Sequence, residues 1–152
     1  MTRQPFKFRL ERVRALRESV EDQAKEELAA SLSVRMKGEA MLEAASESFA
    51  HAKATRRGAT EIAASGDQLV AAQAYLERTE QERLAAELEL GRREAEVDAR
   101  RIALQSAARE RQVLERLKDR RKADHIRELD RREGVLLDEM AIVGHRRRER
   151  AL

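Results

Sequence analysis

"TRRGATEIAASGD", residues 55–67, is the stretch that decides the fold. It is the one place where two glycines, Gly58 and Gly66, lie close together, with Thr, Ser and Asp around them. Glycine costs about 1 kcal/mol in a helix interior, and Ser65 or Asp67 can cap a following helix. The stretch therefore reads as a turn between two long helical segments.

Toward the N-terminus the apolar or small positions run Leu10, Val13, Leu16, Val20, Ala24, Leu28, Leu32 and Met36, then Leu42, Ala45, Phe49 and Ala52. With one step at Glu39 the mean spacing is about 3.5 residues, the repeat of a coiled coil and not the 3.6 of a free amphipathic helix. Pro5 sits just ahead, where a helix start tolerates it. The first helix is expected over about residues 6–55.

Beyond the turn, taken as 56–67, the seam resumes as Leu69, Ala72, Leu76, Thr79, Arg83, Ala86, Leu90, Glu94, Val97, Arg101, Leu104, Ala108, Leu114 and Leu117. Only lone glycines interrupt the chain from Gln68 to Val143, so a second, longer helix is expected over about 68–145, with a basic tail at 145–152. A turn centred near residue 61 would set residue i against about residue 122 − i and place Phe6 near Arg116. The rest of the second helix would overhang. In that overhang Leu129, Leu136 and Val143 recur every seven residues, as do Ile126, Glu133 and Met140, and such a stripe asks to be covered. The expected fold is all-α: one domain, a long two-helix antiparallel coiled coil whose second helix is the longer.

Composition agrees with that class. Of 152 residues, 40% are charged and 3% aromatic, with one proline and no cysteine or tryptophan, which is the make-up of long helices and not of a compact core. The 32 basic and 29 acidic residues nearly balance, so no uniform positive field surrounds the chain, and the excess lies between Arg109 and Arg150, with 14 basic against 10 acidic residues. No cysteine means no disulfide framework and no thiolate metal site. "MTRQPFKFRLERVRAL" has no apolar signal core, and no stretch nears the roughly 18 apolar residues of a membrane span. A soluble cytoplasmic protein is the expectation.

Sites for chemistry are absent from the pattern. The six glycines are scattered and begin no phosphate-binding loop, and His51, His125 and His145 form no H-x-x-x-H pair. No cofactor, metal or catalytic residue is expected, since two helices enclose no pocket to hold one. Adjacent acids such as Glu26 with Glu27, or Asp138 with Glu139, diverge by about 100° on a helix and read as partners of basic residues three or four away. "KDRRK" at 118–122 and "HRRRER" at 145–150 could neutralise phosphates, but acids interleave with them and no aromatic platform exists, so nucleic acid is not the expected partner. Phe49 and Tyr75, near each other by the expected pairing, could plug a weak seam or form a docking patch with Leu42, Ala45 and Leu76.

Three stretches together resemble the flagellar FliJ family, small coiled-coil components of the flagellar type III export apparatus. "FKFRLERVRALRESVEDQAKEELA", residues 6–29, is similar to that family's opening. "YLERTEQE", from Tyr75, resembles its mid-chain Tyr-Leu motif, and "ERQVLERLKDRRKADHIRELDRREGVLLDEMA", residues 110–141, resembles its C-terminal pattern. Thr79 departs from the usual Leu after the Tyr-Leu pair, and His125 stands where an aromatic is common.

The resemblance implies a non-enzymatic stalk, similar in shape to the central stalk of rotary ATPases, that engages the hexameric export ATPase ring, couples it to the export gate's cytoplasmic domain and assists recycling of export chaperones. It also implies a cytoplasmic location peripheral to the inner membrane at the flagellar basal body, reached only through the export apparatus. The concentration of charge and of aromatics suggests which end meets which partner. Arg9, Arg12, Arg14, Arg109, Arg116, Arg120 and Arg121 would face the ATPase, and Leu42, Ala45, Phe49, Tyr75 and Leu76 the gate. Leu129, Leu136, Met140 and Val143 would form the exposed apolar stripe. A basic nucleic-acid-binding coiled coil and a structural homo-oligomer are the alternatives.

Overall fold

The computed structural model describes residues 5–149, with side chains described through Arg146. Two helices hold nearly all of them: α1, Glu11–Glu61, of 51 residues, and α2, Gly66–Glu149, of 84. They pair antiparallel, and the second is the longer, as the sequence predicts. Residues 145–149 of the expected basic tail are the last residues of α2, and 150–152 lie outside the described residues.

The reversal is tighter and later than the glycines suggest. α1 runs through Gly58, because one weak residue does not break a ladder whose hydrogen bonds form cooperatively. It ends where Ala63 N–H donates to the Thr60 carbonyl (3.3 Å) and Ala64 N–H to the Ala59 carbonyl (3.0 Å), with Ala63 itself at a left-handed φ of 51°. That is the geometry a glycine normally supplies just past a helix end. Ser65 then opens α2 as half of a capping box: its Oγ accepts from Gln68 N–H at 3.4 Å, and Gln68 Oε1 accepts from Ser65 N–H at 3.0 Å. Asp67 adds a negative charge beside the positive end of the helix dipole. Only residues 62–65 lie between the helices.

Moving the turn shifts every pairing. Glu11 meets Lys118, Arg17 meets Glu110, Glu27 meets Arg100 and the Val34 carbonyl meets Arg93, so residue i faces about residue 128 − i and not 122 − i. Phe6 accordingly lies against His125, with ring centroids 5.7 Å apart, instead of near Arg116. The start of α1 moves as well, from about residue 6 to Glu11. Residues 5–8 are not helical, and Phe6 and Phe8 are half-buried while Pro5, Lys7 and Arg9 are exposed. This alternation is that of extended chain, which advances about 3.3 Å per residue against 1.5 Å in a helix and so reaches further along α2.

The Cα packing divides the chain into two units. Unit 2, Glu21–Ser106, contains the turn and is paired through small residues: Ala52, Ala72, Thr79 and Val97 are buried, and so is Gly38. Thr79 is 2% exposed, and its Oγ donates within its own helix, toward the Tyr75 and Leu76 carbonyls at 3.1 and 2.9 Å. A buried hydroxyl is thereby satisfied without a cross-helix partner.

Unit 1, Met1–Val20 with Ala107–Leu152, is paired differently. Its expected seam residues Val13, Leu16 and Val20 are exposed, while Arg14 and Arg17, one position further on, are half-buried. Within unit 2 the less exposed positions of α1 keep a three-four spacing from Glu21 to Ala52, with no step at Glu39. Its members are the expected Ala24, Leu28, Leu42, Ala45, Phe49 and Ala52 together with Glu21, Ser31, Arg35 and Gly38. In unit 1 the stems of Arg14 and Arg17 cover the facing helix while their heads reach Glu115 and Glu110, so polar side chains can hold a seam that apolar ones leave.

Candidate partner-binding surfaces

In unit 1 the packing residues and the free cations separate. Arg14 is bound on all sides: Nε donates to Glu11 Oε1 at 2.9 Å, Nη1 lies 3.2 Å from Glu18 and 3.5 Å from Glu115 across the pair. Lys118 reaches Glu11 from α2 at 2.9 Å, and Arg17 reaches Glu110 at 2.6 Å. Hydrogen bonds from Lys118 and then Arg14 hold the Glu11 carboxyl below its ordinary pKa, and the bond to Glu11 raises that of Arg14. Arg14 is thus a cross-helix clamp. Arg9, Arg12, Arg109, Arg116, Arg120 and Arg121 are exposed.

An open groove of about 910 Å³ lies where the extended N-terminal segment meets α2. Phe6, Phe8, Leu10 and Leu117 line it, with Lys7, Arg9 and Arg121 on one side of the charge balance and Asp124 and Glu128 on the other. Further along α2, Leu129 is half-buried, and Leu136, Met140 and Val143 are exposed. Among the described residues of unit 1 none covers those three.

In unit 2, Leu42, Ala45, Phe49, Tyr75 and Leu76 are all half-buried. Phe49 lies between two cations, Lys53 from its own helix and Arg83 from α2, each 5.5 Å from the ring centroid. Tyr75 carries Arg78 at 5.5 Å. The shifted register sets Phe49 against the turn of α2 that holds Thr79 and Arg83, so no ring contact joins it to Tyr75. The two aromatics are separate cation–π sites on one unit.

Gly38 and Arg93 form a contact that sequence reasoning misses. The Arg93 side chain crosses α1 at Gly38, donates from Nη1 to the Val34 carbonyl at 3.0 Å and is steadied through Nε by Glu89 at 3.0 Å. A Cβ at Gly38 would stand 3.0 Å from Arg93 Cδ and 3.2 Å from Nη1. The missing side chain is what lets the guanidinium reach the backbone. With pairing at 122 − i, Gly38 faces Leu84, and nothing marks it.

Among the described residues no group of three or more His, Cys, Asp or Glu side chains could hold a metal ion, and no helix is long and apolar enough to cross a membrane. In comparison with known proteins, a family model described as "Flagellar FliJ protein" matches residues 6–150. No curated protein and no solved structure matches.

Proposed function

The chain belongs to the FliJ family of flagellar proteins, and from that premise we propose that it is a non-enzymatic component of the flagellar export apparatus, a coiled-coil stalk that engages the hexameric export ATPase through unit 1. The family match over nearly the whole chain carries this reading. The end assignment is supported by six exposed arginines, Arg9, Arg12, Arg109, Arg116, Arg120 and Arg121, all within one unit. Exposed cations at a polar rim steer a partner of opposite charge and fix its register. Arg14 is left out of this set, since its guanidinium already holds Glu11 and Glu115.

Unit 2 would then address the export gate's cytoplasmic domain through Leu42, Ala45, Phe49, Tyr75 and Leu76, where half-buried aromatics under cations offer anchor points. Recycling of export chaperones belongs to the same proposal. A pull-down with the cognate export ATPase, with hydrolysis measured alongside, tests the first part. Replacing Arg9, Arg12, Arg116 and Arg120 by Glu should abolish capture and stimulation while the helical circular dichroism stays unchanged; full capture by that variant would defeat the assignment. For the gate end, Phe49→Ala with Tyr75→Ala should lose binding to the gate domain alone.

A further inference from the structure

The C-terminal part of α2 carries a second heptad frame, Ile126, Leu129, Glu133, Leu136, Met140 and Val143, spaced by threes and fours. Its apolar members Ile126, Leu136, Met140 and Val143 are between 39% and 63% exposed. It does not continue the face that pairs with α1. That face in unit 1 runs Ala107, Arg111, Leu114, Lys118 and His125, and its heptads extend to 132 and 139. The stripe stands one residue further round, about 100° away. A longer α1 would border only the Leu129, Leu136 and Val143 side, the column of half-buried Ala108 and Glu115, and would leave Ile126, Glu133 and Met140 uncovered.

We propose that residues 126–143 pair with the same segment of a second copy of this chain in an antiparallel two-stranded coiled coil. Charge chooses both the occupant and the direction. In a parallel pair each seam residue meets itself, which sets Glu133 against Glu133 of the second copy, two like charges in the middle of the seam. In an antiparallel pair about a dyad between residues 134 and 135, Ile126 faces Val143, Leu129 faces Met140, and Glu133 faces Leu136. The flanking positions then bring Arg132 of each copy to Glu139 of the other, twice over. Arg132 and Glu139 are exposed, and Arg132 now holds only Glu128 of its own helix, at 2.9 Å, a solvent-facing pair that exchanges readily. Leu137, 62% exposed, borders the seam and widens its apolar face.

Six layers make a short coiled coil, so the association is weak, with a Kd in the range of roughly 10–100 µM. Sedimentation of the full chain from roughly 1 to 500 µM should show monomer passing to dimer. Leu136→Glu, on an exposed position that leaves the hairpin intact, should hold the chain monomeric across that range. Arg132→Glu should weaken association about tenfold, and adding Glu139→Arg should restore it. Direction is read by cross-linking, which starts clean because the chain has no cysteine. An Ile126→Cys chain mixed with a Val143→Cys chain should form the mixed disulfide dimer, and neither alone should. Monomer at every concentration, failure of the charge exchange to restore association, or self-cross-linking of the Ile126→Cys chain would each overturn the proposal. Because no ATPase enters the experiment, its outcome is separate from that of the stalk reading.

Discussion

Replacing Gly38 by alanine should be neutral or slightly harmful in the natural chain and clearly stabilising once Arg93 is gone. Alanine gains about 1 kcal/mol over glycine in a helix interior. At Gly38 the added Cβ would lie 3.0 Å from Arg93 Cδ and 3.2 Å from Nη1, so the guanidinium must leave the Val34 carbonyl it now bonds at 3.0 Å. A hydrogen bond from a charged donor contributes about 1.5–3 kcal/mol, the lower end applying here because the bond is solvent-accessible. Gly38→Ala alone should therefore change stability by about −0.5 kcal/mol, Arg93→Ala by about −1.5, and Gly38→Ala in the Arg93→Ala background by about +1. The coupling between the two sites is about 1.5 kcal/mol, as expected of groups in direct contact. Urea unfolding followed by circular dichroism at 222 nm, with all four chains, measures it. If alanine at position 38 stabilises by about 1 kcal/mol in both backgrounds, the notch reasoning is wrong.

Three further outcomes rest on single features. Ala63→Gly should stabilise by about 0.5–1 kcal/mol, since a non-glycine residue at φ 51° is strained and glycine is not, and the urea midpoint reports it. Val97→Ala should cost about 2 kcal/mol in the same assay, because Val97 is 1% exposed and its neighbours in a helix pair close only partly over the space it leaves. Glu11→Gln should lower the melting temperature near pH 7 but not in acid. The Glu11 pKa is lowered by folding, so its contribution is present above the unfolded value, near 4.3, and fades as pH falls through the lower folded one. Melting curves of the two chains, taken from about pH 7 down to about pH 2, should draw together as pH falls below the unfolded value of about 4.3.

The helices, their period and the neighbourhood of the turn were legible because they are local properties. No proline from Phe6 onward, seven-residue recurrence and a capping residue at Ser65 or Asp67 are each decided within a few residues. The three family-like stretches are sequence by nature, and the family match agrees with them. The exposed stripe at Leu136, Met140 and Val143 was also visible, since spacing alone defines it.

The register was not legible, and neither was the seam at the start of α1, although the expected seam residues from Ala24 to Leu32 and from Leu42 to Ala52 are buried or half-buried. In a hairpin an error in the turn centre doubles in the pairing, so a turn at 62–65 moved every partner by about six residues and parted Phe49 from Tyr75. Apolar content names Val13, Leu16 and Val20 as the buried line, yet Arg14, Arg17 and Glu21, one residue along, are less exposed. Two lines about 100° apart can each be a seam, and what selects between them is whether the opposite helix offers a match. Glu110 and Glu115 stand where Arg17 and Arg14 can reach them, and Gly38 opens where Arg93 crosses. The sequence by itself determined that two long helices would pair. Which residue met which, and which face of α1 met α2 before Glu21, was decided only in the tertiary structure, because facing residues are set by contacts some 60 to 110 positions apart in the chain, and no local pattern carries them.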